Sequence, residues 1–171
     1  MNIVLTGMRA SGKTSLGKAL SKKLGWDFVD IDHLIEDKLN KKIVQFVKEE
    51  GWDAFRALEH ETALECATLK NTIISTGGGT MMNPDSANAL KQTGFVVLLT
   101  CPIEVLGKHL NASYERPSLT GEKTALEELK EIWEQRKDQY HAVADLIHDT
   151  STWPNLDKLL EKLQKSDTIH I

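Results

Sequence analysis

Several features that mark secreted, zinc-binding and membrane proteins are missing from this sequence. Its two cysteines, Cys66 and Cys101, lie far apart and form no CxxC pair, so we predict neither a disulfide framework nor a zinc knuckle. The longest uninterrupted apolar run, 95–99, is far too short to span a bilayer. No basic segment precedes an apolar one at the N-terminus, which argues against export. We therefore expect a cytoplasmic protein that does not enter the membrane.

Charge and length exclude further classes. The net charge is −4, whereas a general nucleic-acid binder usually carries a basic field, so we expect no nucleic-acid partner. The six histidines show no metal-ligand spacing. A chain of 171 residues without repeats or linker-like stretches predicts a single domain, 1–171, and we take a monomer as the expected state.

Short apolar runs alternate with segments of helical period, a pattern typical of a parallel sheet covered by helices. The predicted strands are 2–6, 27–30, 72–75, 95–100 and 144–148. One predicted helix follows the first strand, and the others lie at about 33–40, 43–50, 53–69, 84–92, 102–109, 124–141 and 154–165. The sequence therefore predicts an α/β fold of three layers, with a five-stranded parallel sheet flanked by helices.

A phosphate-binding loop directly follows the first predicted strand. Residues 7–14 read GMRASGKT and match GxxxxGK[ST] in full, and they open a helix with an apolar face. In such a loop backbone N–H groups face the phosphates, Lys13 reaches the β- and γ-phosphates, and the Thr14 hydroxyl coordinates Mg²⁺. We predict that ATP and Mg²⁺ bind here, on Gly7, Met8, Arg9, Ala10, Ser11, Gly12, Lys13, Thr14 and Ser15.

P-loop proteins that hydrolyse nucleotide usually show a strand of four apolar residues that ends in Asp. Here the apolar run FVVLL is followed by Thr100, Cys101 and Pro102, with no acid, so another carboxylate must complete the metal shell. The nearest candidates are Asp30 and Asp32 in FVDID, at a strand end that borders the ligand crevice of an open parallel sheet. On an extended backbone these two side chains point to the same side. One can orient the metal shell while the other accepts the proton of an attacking hydroxyl. Alternatively, Asp32 only caps a helix that begins near His33.

Three further segments are candidates for the acceptor site. The glycines at 77–79 follow the third strand, where they either let backbone approach a ligand closely or form a flexible turn. The long crossover between the second and third strands, about 33–69, can build a wall of a substrate pocket. The polar segment of about 110–123 is a candidate lid.

Three arginines allow both structural and functional interpretations. Arg136 lies in the middle of an inward stripe formed by Leu126, Leu129, Trp133 and Tyr140. Such a guanidinium pairs with a buried acid, reaches out to solvent, or awaits an anionic ligand. Arg56 has Glu59 three residues later, which is typical of a surface ion pair. Arg116 lies in the candidate lid, and its structural interpretation is a solvated charge on a loop.

Taken together, the motifs resemble those of the shikimate kinase family. The resemblance rests on GMRASGKT, FVDID, WDAFRALE, STGGG, YERPSL and EQRKDQY, which occur in this order over nearly the whole chain. It implies a P-loop kinase fold of the nucleoside-monophosphate-kinase type with a lid. It also implies transfer of the γ-phosphate of ATP to the 3-hydroxyl of shikimate, a step of aromatic amino-acid biosynthesis.

The resemblance further implies roles for individual residues. Thr14 and Asp30 would hold the metal, and the catalytic residues would be Lys13 on the phosphates, Asp32 as base and Arg116 on the transferring phosphoryl group. Arg56 and Arg136 would clamp the substrate carboxylate, with Glu59 orienting Arg56. The remaining substrate contacts would come from Asp32, Gly77, Gly78 and Gly79, in a pocket lined by Phe46 and Phe55.

The chain departs from the family pattern at four places. Ala10 stands where a glycine is common, and the lid reads RPSL rather than RPLL. Lys108 takes the place of an arginine near the adenine, and DTSTWP lacks another arginine. These differences leave the adenine contacts open, with Lys108 as the candidate. Two alternatives also stay open: a kinase of this fold for another acceptor, such as gluconate or a nucleoside monophosphate, and a non-catalytic module that senses shikimate or nucleotide.

Overall fold

The structure, a computed structural model, describes residues 1–112, 124–152 and 155–166. Within these ranges the strands are β1 (Asn2–Gly7), β2 (Asp27–Asp30), β3 (Thr72–Ser75), β4 (Gly94–Thr100) and β5 (Leu146–Asp149). The helices are α1 (Lys13–Leu24), α2 (Ile31–Leu39), α3 (Ile43–Ala67), α4 (Pro84–Thr93), α5 (Ile103–Ala112), α6 (Ala125–Val143) and α7 (Leu156–Gln164). A short 3₁₀ turn, Thr80–Met82, precedes α4.

The five strands form one parallel sheet in the order β2-β3-β1-β4-β5. Alternate residues of β1 face opposite layers. Ile3 and Leu5 pack against α1 and α7, whereas Val4 packs against α2, α3 and α4. Because both faces of the sheet are covered, β1 is an unbroken buried run rather than an alternating one. The predicted three-layer α/β fold is confirmed.

The crossover from β2 to β3 contains α2 and α3, and α3 is interrupted where the sequence predicts a gap between two helices. Gly51 lies inside α3 with φ 87° and ψ 171°, a conformation that glycine adopts without steric penalty. The kink separates the first turns of α3 from a second part that carries Phe55, Arg56 and Glu59. Residues from both parts of α3 line the cavity described below.

Several element boundaries differ from the prediction by a few residues. The last strand begins at Leu146 rather than 144, because the Asp145 carboxylate accepts the Val96 N–H at 2.8 Å beside the backbone bond from Asp145 N to Val96 O. Helix α5 continues through residue 112, so the first three residues of the predicted lid are helical. The rest of that lid, including Arg116, lies outside the described residues. No helix within the described ranges is long and apolar enough to cross a membrane.

A buried histidine in β5 makes the fold sensitive to acid. The His148 side chain is 0% exposed, and neither ring nitrogen has a hydrogen-bond partner in the described part of the chain. Burial lowers the pKa of this imidazole to about 4, and the positive charges of Lys162 and Lys158 act in the same direction. His148 is therefore neutral in the folded protein.

We expect stability to fall as the pH drops from about 6.5 toward 4. Over this range the unfolded chain takes up a proton on His148 while the folded protein does not, a difference worth about 3 kcal/mol in total. Denaturant titrations across this range should show a smaller loss in His148→Leu than in the unaltered chain; the remaining loss comes from carboxylates whose pKa is lowered by folding, such as Glu36. A matched control is His141→Gln, which removes an exposed histidine. An equal slope in His148→Leu would contradict this assignment.

Candidate active site

The phosphate-binding loop joins β1 to α1 and has its polar groups turned inward. Lys13 Nζ donates to the carbonyls of Gly7 at 2.9 Å and Met8 at 2.8 Å, so the ammonium lies across the loop. The first N–H groups of α1 have no acceptor within their own helix, since an α-helix leaves its first four donors unpaired. A loop with an ammonium and a helix N-terminus at its centre is suited to bind phosphate.

Ala10 occupies a backbone position that favours glycine. Its φ is 62°, in the left-handed region, and Gly12 on the same loop has φ 90°. A non-glycine residue here carries a strain of about 1 kcal/mol, so glycine is the common residue of the family for a conformational reason.

The other predicted nucleotide residues surround this loop. Met8 is buried, and Ser11 is buried with its carbonyl accepting the Thr150 hydroxyl at 3.0 Å. Lys108 is exposed on α5, next to His109, whose Nδ1 lies 3.3 Å from the Ala10 carbonyl. Helix α5 therefore borders the loop, although Lys108 itself makes no contact with the loop among the described residues. Of the remaining predicted residues, Arg9 is half-buried and Ser15 is exposed.

Asp30 ends β2 and caps α2. Its Oδ1 accepts the N–H groups of Asp32 at 3.1 Å and His33 at 3.4 Å, and its Oδ2 accepts the Thr14 hydroxyl at 2.7 Å. The alternative in which Asp32 caps a helix near His33 is therefore wrong. The extended geometry predicted for the two acids is also wrong, because Asp32 lies in the first turn of α2.

The Thr14–Asp30 pair satisfies the main requirement of a magnesium site. It offers a hydroxyl and a carboxylate oxygen, and Mg²⁺ prefers oxygen ligands. Within the described ranges, no group of three or more His, Cys, Asp or Glu side chains converges on one point. Mg²⁺ usually takes one or two protein ligands and completes its shell with water and substrate phosphates, so two ligands beside the phosphate loop suffice.

Two of the three glycines after β3, Gly77 and Gly79, have close neighbours where a side chain would begin. A Cβ on Gly77 would lie 2.6 Å from Glu59 Oε1 and 2.7 Å from Asp32 Oδ1. A Cβ on Gly79 would lie 2.7 Å from the central carbon of the Arg56 guanidinium. The loop therefore packs directly against three charged groups. The segment does form a turn, as one of the two predictions has it, and Gly77 and Gly79 are buried in it.

Helix α6 donates hydrogen bonds to this glycine loop and to the turn that follows it. The Gly78 carbonyl accepts Arg136 Nη1 at 2.8 Å and the Tyr140 hydroxyl at 2.5 Å, and Gln139 donates to the Met81 carbonyl at 2.9 Å. Burial raises the pKa of Tyr140, which therefore stays protonated and keeps donating. Arg136 is half-buried, and within the described ranges no carboxylate lies within 4.0 Å of its guanidinium. The structural alternative of a buried acid partner has no support among these residues.

Arg56 is held by a carboxylate and two aromatic rings. It forms an ion pair with Glu59, and its guanidinium carbon lies 5.2 Å from the centroid of the Phe55 ring and 5.4 Å from that of Trp52. The predicted i,i+3 pair is present, but it is not a surface pair, because Glu59 is only 3% exposed. A buried partner and flanking rings give Arg56 a defined direction.

These groups enclose one cavity of about 300 Å³ beside the phosphate loop, lined by Asp32, Arg56, Glu59, Gly78, Gly79 and Arg136 among others. Phe55 lines it, but Phe46 does not and packs in the core between α2, α3 and α4 instead. Two guanidinium groups can bind a carboxylate, and a carboxylate such as Asp32 can bind hydroxyl groups. The cavity thus suits a small, hydroxylated acid.

The prediction from the sequence did not identify some residues of this site. Tyr140 entered the prediction only as an apolar stripe member, and Leu126 of that stripe is exposed rather than inward-facing. Trp52 and Gln139 lie in the segments WDAFRALE and EQRKDQY, but no role was predicted for either, because a helical glutamine and an aromatic residue near a helix kink are common without any ligand. Thr80 follows the three glycines directly, and that position was the one available hint.

The fold and site define a class: a P-loop kinase whose phosphate loop borders a small polar acceptor cavity. The family model described as shikimate kinase matches residues 9–166. The chain belongs to the shikimate kinase family.

Similar proteins agree with this membership. The chain is 36% identical to a shikimate kinase of Nitratidesulfovibrio vulgaris, over 83% of this chain and 82% of that protein. It is 38% identical to shikimate kinase 2 of Escherichia coli, over 90% of this chain and 88% of that protein. The solved shikimate kinase of Acinetobacter baumannii, in complex with shikimate, is 33% identical and superimposes with a TM-score of 0.85 over 95% of this chain and 90% of that chain.

Proposed function

We propose that this chain is a shikimate kinase, which transfers the γ-phosphate of ATP to the 3-hydroxyl of shikimate. The observation that carries the proposal is the cavity that places Arg56, Arg136 and Asp32 beside a complete phosphate loop. Shikimate has one carboxylate and several hydroxyl groups, so a guanidinium pair and a carboxylate complement it. The solved relative with shikimate bound has the same fold.

In this proposal each residue has a distinct task. Arg56 and Arg136 bind the shikimate carboxylate and so fix the orientation of the ring. Asp32, in the first turn of α2, accepts the proton of the attacking hydroxyl. Lys13 leaves the loop carbonyls and binds the β- and γ-phosphates, where it offsets the charge that develops during transfer. Backbone groups of Gly77, Gly78 and Gly79 contact the acceptor.

Thr14 and Asp30 hold Mg²⁺ in the proposal. When bound, this ion would supply positive charge that offsets part of the charge of the phosphates. Arg116 adds a further positive charge from the lid and Lys108 lies near the adenine; both remain predictions from the sequence. We also propose a single-domain monomer in the cytoplasm, with residues 33–69 as the acceptor-binding insertion and 110–123 as the lid.

We expect ADP formation that depends on shikimate and Mg²⁺, with much slower release of ADP when no acceptor is present. The reason is that the cavity binds a hydroxylated acid next to the phosphate loop. A coupled assay with shikimate, gluconate and nucleoside monophosphates offered separately measures this. Turnover only with gluconate or a nucleoside monophosphate would reassign the acceptor, and binding of shikimate without any turnover would favour a sensing module.

Asp32→Asn should lower kcat by about 10²-fold or more, because general-base catalysis typically contributes this much. ATP affinity should stay close to normal, since Asp32 lies on the acceptor side of the loop. Lys13→Ala should lower both kcat and nucleotide affinity. Asp37→Asn, on the exposed side of the same helix, is the matched control. Near-normal kcat in Asp32→Asn would show that the base lies elsewhere.

Arg136→Met should weaken shikimate binding by about 2–5 kcal/mol, because the carboxylate loses a charged partner. Stability should change by less than about 1 kcal/mol, since the Gly78 carbonyl keeps the Tyr140 hydroxyl as donor. Thermal melts and shikimate titrations measure the two effects. Lys130→Met, an exposed change on the same helix, is the control. A large loss of stability with normal shikimate affinity would refute the carboxylate assignment.

A further inference from the structure

Thr80 lies directly behind the Arg56–Glu59 pair. It is 1% exposed in the 3₁₀ turn that follows the three glycines, and its hydroxyl donates to Glu59 Oε1 at 2.8 Å. The other oxygen of the same carboxylate, Oε2, accepts from Arg56 Nη1. The three side chains therefore form a chain of hydrogen bonds from the glycine loop to the cavity.

The buried position of Glu59 makes this hydroxyl important. A carboxylate removed from water needs donors for both of its oxygens. In the described part of the chain, the Thr80 hydroxyl is the hydrogen-bond donor to Oε1, and Arg56 is the donor to Oε2. Without the hydroxyl, Oε1 is left unpaired next to Gly77, and the carboxylate gains by turning away from its present rotamer.

A turn of the Glu59 carboxylate would release Arg56. The Arg56 side chain is 40% exposed, so its direction depends on the fixed carboxylate and on the two rings beside it. The two rings contact the face of the Arg56 guanidinium, but they do not determine how the group is rotated in its own plane. The hydrogen bond to Glu59 does determine this rotation, provided that Glu59 itself cannot rotate.

We propose that Thr80 is a positioning residue for the acceptor: its hydroxyl fixes Glu59, and Glu59 aims Arg56 at the acceptor carboxylate. The proposal rests on the proposed function of Arg56. It assigns to Thr80 an effect on acceptor affinity that acts through another residue, with no direct contact with the acceptor.

The test compares Thr80→Val, which keeps the shape and removes the hydroxyl, with Thr80→Ser, which keeps the hydroxyl. We expect Thr80→Val to raise the KM and Kd for shikimate about tenfold, with smaller changes in kcat and in the KM for ATP. Thr80→Ser should restore affinity to within about threefold. Thr72→Val is the matched control, because Thr72 is equally buried and bonds to the Lys70 carbonyl at the opposite end of β3.

A double-mutant cycle with Arg56→Met separates positioning from simple packing. If Thr80 acts through Arg56, Thr80→Val should add little to the loss of affinity already present in Arg56→Met. Additive losses, or normal shikimate affinity in Thr80→Val, would overturn the proposal. Thr80→Ala gives the same comparison without a branched side chain, should valine disturb the turn.

The outcomes also distinguish this proposal from the assignment on which it rests. Normal shikimate affinity in Arg56→Met would refute the carboxylate role of Arg56, and with it the positioning role of Thr80. If Arg56→Met loses shikimate affinity as expected but Thr80→Val keeps normal shikimate affinity, only the positioning role of Thr80 is refuted.

Discussion

The site depends on a sheet that excludes water from both of its faces. Residues of β1 and β4 are almost completely buried, since helices cover the sheet above and below. Charged side chains are disfavoured along strands that are buried on both faces, whereas the carboxyl ends of the strands can carry them. The phosphate loop follows β1, Asp30 ends β2, and the glycine loop follows β3. Because β3 lies between β1 and β2 in a parallel sheet, these three ends meet at one edge.

At this edge the buried charges are held by protein groups before any ligand arrives. Lys13 donates to two loop carbonyls, Asp30 accepts a hydroxyl and two N–H groups, and Glu59 accepts from both Arg56 and Thr80. Such contacts keep each side chain near its working position, which lowers the entropy lost on binding. Arg136, like Lys13, bonds to a backbone carbonyl, and the carbonyl that it contacts also accepts the Tyr140 hydroxyl. It can leave that carbonyl for a substrate carboxylate without leaving the oxygen unpaired.

Ala10 and the glycines after β3 show how differently two loops of the site respond to a side chain. Ala10 keeps the left-handed backbone of the phosphate loop at the expense of local strain, so the loop shape is set by its neighbours as well as by its glycines. A methyl group at Gly77 or Gly79 would instead collide with a charged side chain, which would have to move out of its present position. The energy of the backbone strain at Ala10 is small compared with the energy of an overlap between a methyl group and a charged side chain.

Local pattern determined much of this protein by itself. Apolar runs and helical periods predicted the five strands and the main helices, and GMRASGKT predicted the phosphate loop, because these signals come from neighbouring residues. Tertiary structure decided the rest. Whether Asp30 or Asp32 caps α2 depends on the residue at which β2 ends, and that point is set by pairing with β3. Thr80 and Tyr140 gain their roles from residues 21 and 62 positions away in the chain. No local pattern encodes a hydrogen bond between residues so far apart in the chain. Only the folded chain shows which acceptor each buried hydroxyl donates to.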